Sequence, residues 1–120
     1  MFSVADLLVI AASHWFADFV LQRSRDAVTK CEDNRALGRH VGSYALGMIP
    51  CGIYLVGWSQ AALLWLPVTF ALHFATDYVT SRVGHRFKAQ ERMKAYFTTL
   101  GFDQFLHFAA LVLTTAALRA

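Results

Sequence analysis

Four long stretches with few charged residues make up most of the 120-residue chain. Each stretch is about 20 residues long, which at about 1.5 Å per helical residue spans a hydrocarbon core of about 30 Å. A soluble helical bundle would carry a polar stripe along each helix, and the second and third stretches have none. The pattern therefore predicts an all-α, polytopic membrane protein with a single domain, 1–120, and transmembrane helices near 3–22, 38–58, 60–80 and 96–118.

The composition supports this prediction, since 57% of the residues are hydrophobic and only 16% are charged, against about 25% charged in soluble proteins. Such a composition argues against a soluble enzyme, a disordered tail and a nucleic-acid-binding module. Ten of the eleven Lys and Arg residues lie between the first and second or the third and fourth predicted helices. The positive-inside rule makes these connections cytoplasmic and places both termini outside. We therefore expect anionic lipid headgroups, and no nucleic acid, as the partner of the basic segments.

Ionisable residues interrupt three of the four predicted spans, although an Asp at mid-helix costs about 2.5–3.5 kcal/mol. They form three pairs with a spacing of four, which puts both side chains on one helix face. The pairs are His14 and Asp18, His73 and Asp77, and Asp103 and His107. The order reverses in the last helix, which runs in the opposite direction, so every Asp lies nearer the cytoplasm than its His. His40 and Tyr44 complete this polar layer from the second helix.

The two halves of the chain also resemble each other. The ten residues from His14 to Arg23 align with those from His73 to Arg82, with His, Asp, Val and Arg identical at an offset of 59. The repeat predicts two similar hairpins related by an axis near the membrane normal.

The polar residues of the four spans resemble those of a known family. They read His-x3-Asp-x3-Gln in the first span, an early His in the second, His-x3-Asp in the third and Asp-Gln-x2-His in the fourth. The chain resembles, over nearly its whole length, the small inner-membrane proteins of bacteria and their phages described as domain of unknown function 3307. This resemblance implies four spans in the bacterial inner membrane and no particular activity. The matching residues are His14, Asp18, Gln22, His40, His73, Asp77, Asp103, Gln104 and His107.

Such a layer predicts a divalent metal ion as the cofactor. Zinc, manganese and iron are the candidates, because these metals bind mixed sets of imidazole and carboxylate ligands. Seven ligands exceed one four-coordinate zinc and suffice for two metals, or for one metal whose histidines are oriented by carboxylates. Two alternatives stay open: a metal-free proton or ion relay, and polar residues that only hold the helices together. The candidate ligands are His14, Asp18, His40, His73, Asp77, Asp103 and His107.

Hydrolysis is the simplest chemistry for a metal in this layer, because a bound ion lowers the pKa of its water toward about 7. Asp18 or Asp103 can act as the general base, and Tyr44 can donate to a developing oxyanion. The layer is expected at a shallow depth on the cytoplasmic side of the membrane, which favours a lipid or another inner-leaflet substrate. Membrane-bound metal-dependent hydrolases have loosely similar motifs. One competing class is a proton or metal-ion transport component, for which so short a chain would form a homo-oligomer. The other is a non-catalytic interaction protein, such as a phage-encoded modulator of another membrane protein.

Overall fold

A computed structural model describes all 120 residues as an all-helical chain without strands, which confirms the all-α part of the predicted fold class. The elements are α1 (Val4–Trp15), continued by a π-helical turn (Phe16–Val20), then α2 (Ser24–Thr29), α3 (Asn34–Gly47), α4 (Ile49–Val56), α5 (Gln60–Ala89) and α6 (Met93–Arg119). Helices α5 and α6 form a hairpin, and each is long and apolar enough to cross a membrane.

The second predicted span differs from the observed helices at its start and in its middle. Helix α3 begins at Asn34 rather than near residue 38, because the Asp33 carboxylate caps it by accepting from the Arg35 backbone N–H at 2.8 Å. The helix is then broken at Met48, just before Pro50 opens α4. Proline has no N–H to continue the helical hydrogen bonds of the preceding turn.

The third predicted span is longer than expected, since α5 runs to Ala89 rather than ending near residue 80. The charges that follow residue 80 end the apolar stretch but not the helix, because Arg and Lys are good helix formers. The connection to α6 is therefore a short turn at Gln90–Arg92, in which Glu91 has a φ of 57°.

The connection between the first and second predicted spans contains the short helix α2, which an ion pair fixes against α3. The guanidinium of Arg39 donates two hydrogen bonds to Asp26 Oδ1, at 2.8 and 3.1 Å. Asp26 is 3% exposed, and the neighbouring guanidinium holds the pKa of its carboxyl below the usual range. The chain after the π-helical turn is thereby folded back onto the bundle.

The two charged segments are the basic stretches between the first and second and between the third and fourth predicted spans. They meet at one end of the elongated molecule, which is 45 Å long. There Arg82 donates to Asn34 Oδ1 at 2.7 Å, and His85 lies 3.2 Å from Glu32. The chain termini meet at another contact, in which the Arg119 guanidinium donates to Asp6 at 3.0 Å.

Many buried side chains are polar, and many large apolar side chains are exposed. Only 26 residues are buried, and twelve of these are polar or charged. Large apolar side chains such as Leu8, Leu63 and Leu113 are 65–76% exposed. Large exposed apolar surfaces of this kind mark contacts with a membrane or with another protein.

An apolar core fills the bundle on the side of the chain termini. Trp65 is 1% exposed and donates from Nε1 to Thr115 Oγ1 at 2.9 Å. Its indole lies so close to Gly52 that a Cβ atom there would be 2.7 Å from the ring, so the packing depends on glycine. The other buried members are Ile10, Ala17, Tyr44, Met48, Cys51, Leu55 and Leu111.

Candidate metal centre

Four side chains from three elements converge on one point in the bundle: Asp18 from the π-helical turn, His40 from α3, and His73 and Asp77 from α5. His40 Nε2 lies 3.0 Å from Asp18 Oδ1 and 3.2 Å from Asp77 Oδ2. His73 Nε2 lies 3.5 Å from each of the same two oxygens. The two Nε2 atoms are 3.3 Å apart. We call these four atoms the tetrad.

Five of the six distances among the atoms of the tetrad are close to the edge of a tetrahedral metal site. Zinc binds nitrogen and oxygen ligands at about 2.0–2.2 Å. A tetrahedron's edge is about 1.63 times the distance from its centre to a corner, so such ligands lie about 3.3–3.6 Å apart. The five distances, 3.0–3.5 Å, are close to this edge. The donor set of two imidazoles and two carboxylates also suits zinc, manganese or iron.

Ring packing sets the orientation of His73. Its imidazole lies between the Tyr44 ring, with centroids 3.8 Å apart, and the His107 ring, stacked at 3.9 Å with an interplanar angle of 13°. The Nδ1 atoms of His73 and His40 are buried without a hydrogen-bond partner. The Nε2 atoms are therefore the ring nitrogens that both histidines present to the carboxylates.

His14 lies at the edge of the tetrad rather than in it. Its Nδ1 is 3.1 Å from Tyr44 Oη, its Nε2 is 2.8 Å from Gln104 Oε1, and the same Nε2 is 3.8 Å from Asp18 Oδ2. Both ring nitrogens are thus occupied by neutral groups. Asp18 belongs to the π-helical turn Phe16–Val20, a type of distortion that is frequent at functional sites.

Asp103 and His107, both on α6, form a second group beside the tetrad. His107 Nε2 lies 3.0 Å from Asp77 Oδ1 and 3.2 Å from Asp103 Oδ1. The Gln104 amide donates to the other oxygen of Asp103 at 2.9 Å, and Thr80 donates a short hydrogen bond to Asp103 Oδ1. Asp103 is thereby held in place from both α5 and α6.

The seven candidate ligands predicted from the sequence lie in one layer, and each is at most 7% exposed. Gln104 bridges the layer, because its amide also donates to Asp18 Oδ2 at 3.3 Å. Gln22 makes no hydrogen bond to the layer, and its buried Oε1 has no partner. Tyr44, the predicted oxyanion donor, places its hydroxyl against His14 instead of the tetrad.

Lys30 is a member of the site that the sequence did not indicate. Its ammonium donates to Asp77 Oδ2, an oxygen of the tetrad, at 2.9 Å. In the sequence it counts only as one of the basic residues of a connection. No sequence spacing relates Lys30 to Asp77. The two side chains meet only because the chain around α2 folds over α5.

An open cleft of about 480 Å³ leads to this layer. Asp77, Asp103 and Thr80 lie along it together with Lys30 and, farther out, Lys88. On the side of the chain termini, the core around Trp65 closes the bundle. A second open cleft, of about 660 Å³, reaches His40 between Arg23 and Arg39, so both clefts that border the layer are also lined by basic residues.

The sequence profile of one family, described as "Protein of unknown function (DUF3307)", matches residues 5–119. The chain belongs to this family. The family predicted from the polar residues of the four predicted spans is thus confirmed, and the DUF3307 match includes the whole layer. No curated protein and no solved structure matches the chain.

Proposed function

We propose that this DUF3307 protein spans the bacterial inner membrane four times, as two similar hairpins with both termini outside. The apolar surface and the lengths of α5 and α6 support a membrane location. The meeting of the two charged segments at one end supports the orientation, because basic residues concentrate on the cytoplasmic side. In this orientation the cleft opens toward the cytoplasm and the inner leaflet.

We further propose that the tetrad binds a divalent metal ion. The observation that carries this proposal is the set of five distances, 3.0–3.5 Å, among two imidazole nitrogens and two carboxylate oxygens from three elements. Charge supports it as well. The layer buries three carboxylates, of Asp18, Asp77 and Asp103, and Lys30 is the one Lys or Arg side chain that pairs with them. Buried carboxylates require paired cations, and a metal supplies them.

The protein then acts as a metal-dependent hydrolase on a lipid or another inner-leaflet substrate. A metal bound in the layer with an open coordination position supplies a water of lowered pKa. Asp103 borders the cleft, and Thr80 and Gln104 fix its carboxylate, so it is the general base that accepts the proton of the attacking water. Lys30 lies at the floor of the cleft, where its ammonium attracts a negatively charged part of the substrate.

The closed core supports hydrolysis over ion transport. A transport pathway would continue from the layer to the side of the termini, where Trp65, Leu55 and Leu111 are at most 4% exposed. A small cavity between His73 and His107 on one side and Thr69 and Leu111 on the other holds only about 10 Å³. A site that opens on one side suits a substrate that enters and leaves by the same cleft.

Elemental analysis tests the metal proposal. Protein purified in detergent at neutral pH, without chelator, should carry at least one equivalent of zinc, manganese or iron, and His73→Ala should lose it. His85→Ala is the comparison variant, because His85 lies outside the layer with its side chain 48% exposed; a loss of metal in this variant instead would assign the ion to the group of Cys31, Glu32 and His85 and overturn the proposal. A wild-type protein that contains no metal would overturn the proposal.

Activity is tested with vesicles of phosphatidylethanolamine and phosphatidylglycerol as the probe. The metal-loaded protein should release headgroup or fatty acid, and Asp103→Asn should reduce the rate about 100-fold, as expected for loss of a general base. Metal-dependent proton flux in sealed liposomes without lipid hydrolysis would favour transport instead.

A further inference from the structure

Asp77 lies between the tetrad and the second group, that of Asp103 and His107. Asp77 Oδ2 faces His40 and His73, at 3.2 and 3.5 Å, whereas Asp77 Oδ1 faces His107 at 3.0 Å. The two oxygens of one carboxylate are thus directed at different imidazoles. Asp103 Oδ1 lies on the second side, 3.2 Å from the same His107 nitrogen.

The two carboxylate oxygens of Asp18 also face different partners. Its Oδ1 faces His40 at 3.0 Å, and its Oδ2 accepts from the Gln104 amide at 3.3 Å. Ligand atoms of Asp18, Asp103 and His107 also lie within 4.8 Å of one another. Carboxylates that bridge neighbouring ligand groups are how helical bundles build two-metal sites.

We propose that the centre holds two divalent ions, one in the tetrad and a second between Asp18, Asp103 and His107, with Asp18 as the bridge. This inference rests on the proposed metal function of the tetrad. The ions of two-metal sites lie about 3.5–4 Å apart, a separation that one carboxylate can bridge.

The two positions differ in their access to substrate. The tetrad already provides four protein ligands, which is a closed set for tetrahedral zinc. The second position has three protein ligands, and catalytic zinc sites keep three such ligands and leave one place open. Asp103 lines the cleft, so the open place faces the side from which a substrate arrives. The second ion is the one that contacts the substrate, and Asp103 would bind it through one carboxylate oxygen and accept the proton of the attacking water on the other.

The charges allow two ions. Two divalent cations balance the three carboxylates of Asp18, Asp77 and Asp103 together with one hydroxide ion. The ammonium of Lys30, whose side chain is 18% exposed, then adds a positive charge at the floor of the cleft. The loaded centre is thereby suited to a substrate with an anionic group next to the bond that is cleaved.

The stoichiometry of metal binding tests this inference. Metal-free protein in detergent is titrated with Mn²⁺ at neutral pH, and bound metal per chain is measured by equilibrium dialysis. Wild-type protein should bind two equivalents, His107→Ala one equivalent, and His85→Ala two. Electron paramagnetic resonance of fully loaded wild-type protein should show a spin-coupled manganese pair, which checks the inference without any variant.

Saturation of the wild-type protein at one equivalent, with no coupled pair, would overturn the second site and leave the tetrad intact. In that case His107 and Asp103 would only orient Asp77 by hydrogen bonds. Binding of no metal would overturn the function proposed for the tetrad together with the second site.

Discussion

The two halves of the chain carry the same ten-residue motif and use it differently. In the second half, His73 and Asp77 both contribute to the tetrad. In the first half only Asp18 does, while His14 contacts Tyr44 and Gln104. One copy of the motif thus provides two ligand atoms, and the other provides one ligand and one residue that holds its neighbours.

The backbone explains the difference. Residues 73 and 77 lie in the uninterrupted helix α5, where a spacing of four keeps two side chains on one face. The first copy crosses from α1 into the π-helical turn Phe16–Val20, in which each hydrogen bond spans five residues instead of four. Asp18 Oδ1 faces His40 on α3 at 3.0 Å, while its Oδ2 lies 3.8 Å from its own His14. A repeated motif predicts which residues enter a layer, and the local helix type decides which atoms meet.

The largest expected effect is on metal affinity, and it differs between the two histidines of the repeat. His73→Ala removes an atom of the tetrad and should weaken metal binding more than about 100-fold. His14→Ala removes a neighbour only and should weaken it about 10-fold, since loss of such supporting contacts costs about 10–100-fold in affinity. Competition with a chromogenic zinc chelator measures both affinities. Equal losses in the two variants would show that the halves are equivalent after all.

A smaller effect is expected for the two aspartates in metal-free protein. Asp77→Asn leaves the Lys30 ammonium, which now pairs with Asp77 at 2.9 Å, without a carboxylate. Loss of one partner of a fully buried ion pair costs about 3–5 kcal/mol. Because Lys30 borders the cleft, we expect about 2 kcal/mol for Asp77→Asn and about 1 kcal/mol for Asp18→Asn, which has no Lys or Arg partner.

Unfolding in mixed micelles, titrated with a denaturing detergent in the presence of chelator, measures these free energies. Lys30→Met combined with Asp77→Asn provides the control, because the double variant should be more stable than Asp77→Asn alone. Greater destabilisation by Asp18→Asn than by Asp77→Asn would contradict the pairing of Lys30 with Asp77, the aspartate of the second copy of the motif.

The smallest effect concerns the connections of the two hairpins. The second is a short turn, whereas the first depends on the ion pair of Asp26 and Arg39. The folded-state pKa of Asp26 is lowered, so the pair's contribution is complete above the unfolded pKa of about 3.9 and is lost as pH falls through the lower folded value. Cleavage near α2 by an acid-stable protease should therefore increase in that range. Arg39→Ala should be cleaved readily at every pH, and equal resistance of both proteins would contradict this role.

The sequence predicted which residues belong to the polar layer better than it predicted how their atoms are arranged. The seven candidate ligands could be placed in one layer because a spacing of four is local and because the basic residues mark one end of each predicted span. The π-helical turn has no marker in the residues Phe16–Val20. The length of α5 was underestimated because hydropathy reports the end of the apolar stretch, and the charged residues before Ala89 continue the helix. Lys30 was missed because only the tertiary position of α2 brings it to Asp77.

X-ray absorption at the zinc edge tests the tetrad most directly, in metal-free protein loaded with one equivalent of Zn²⁺. The account predicts four nitrogen or oxygen ligands at about 2.0–2.1 Å, two of them imidazoles, and the loss of one imidazole signal in His73→Ala but not in His14→Ala. A first shell that contains sulfur from Cys51, or one that keeps both imidazoles in His73→Ala, would contradict it.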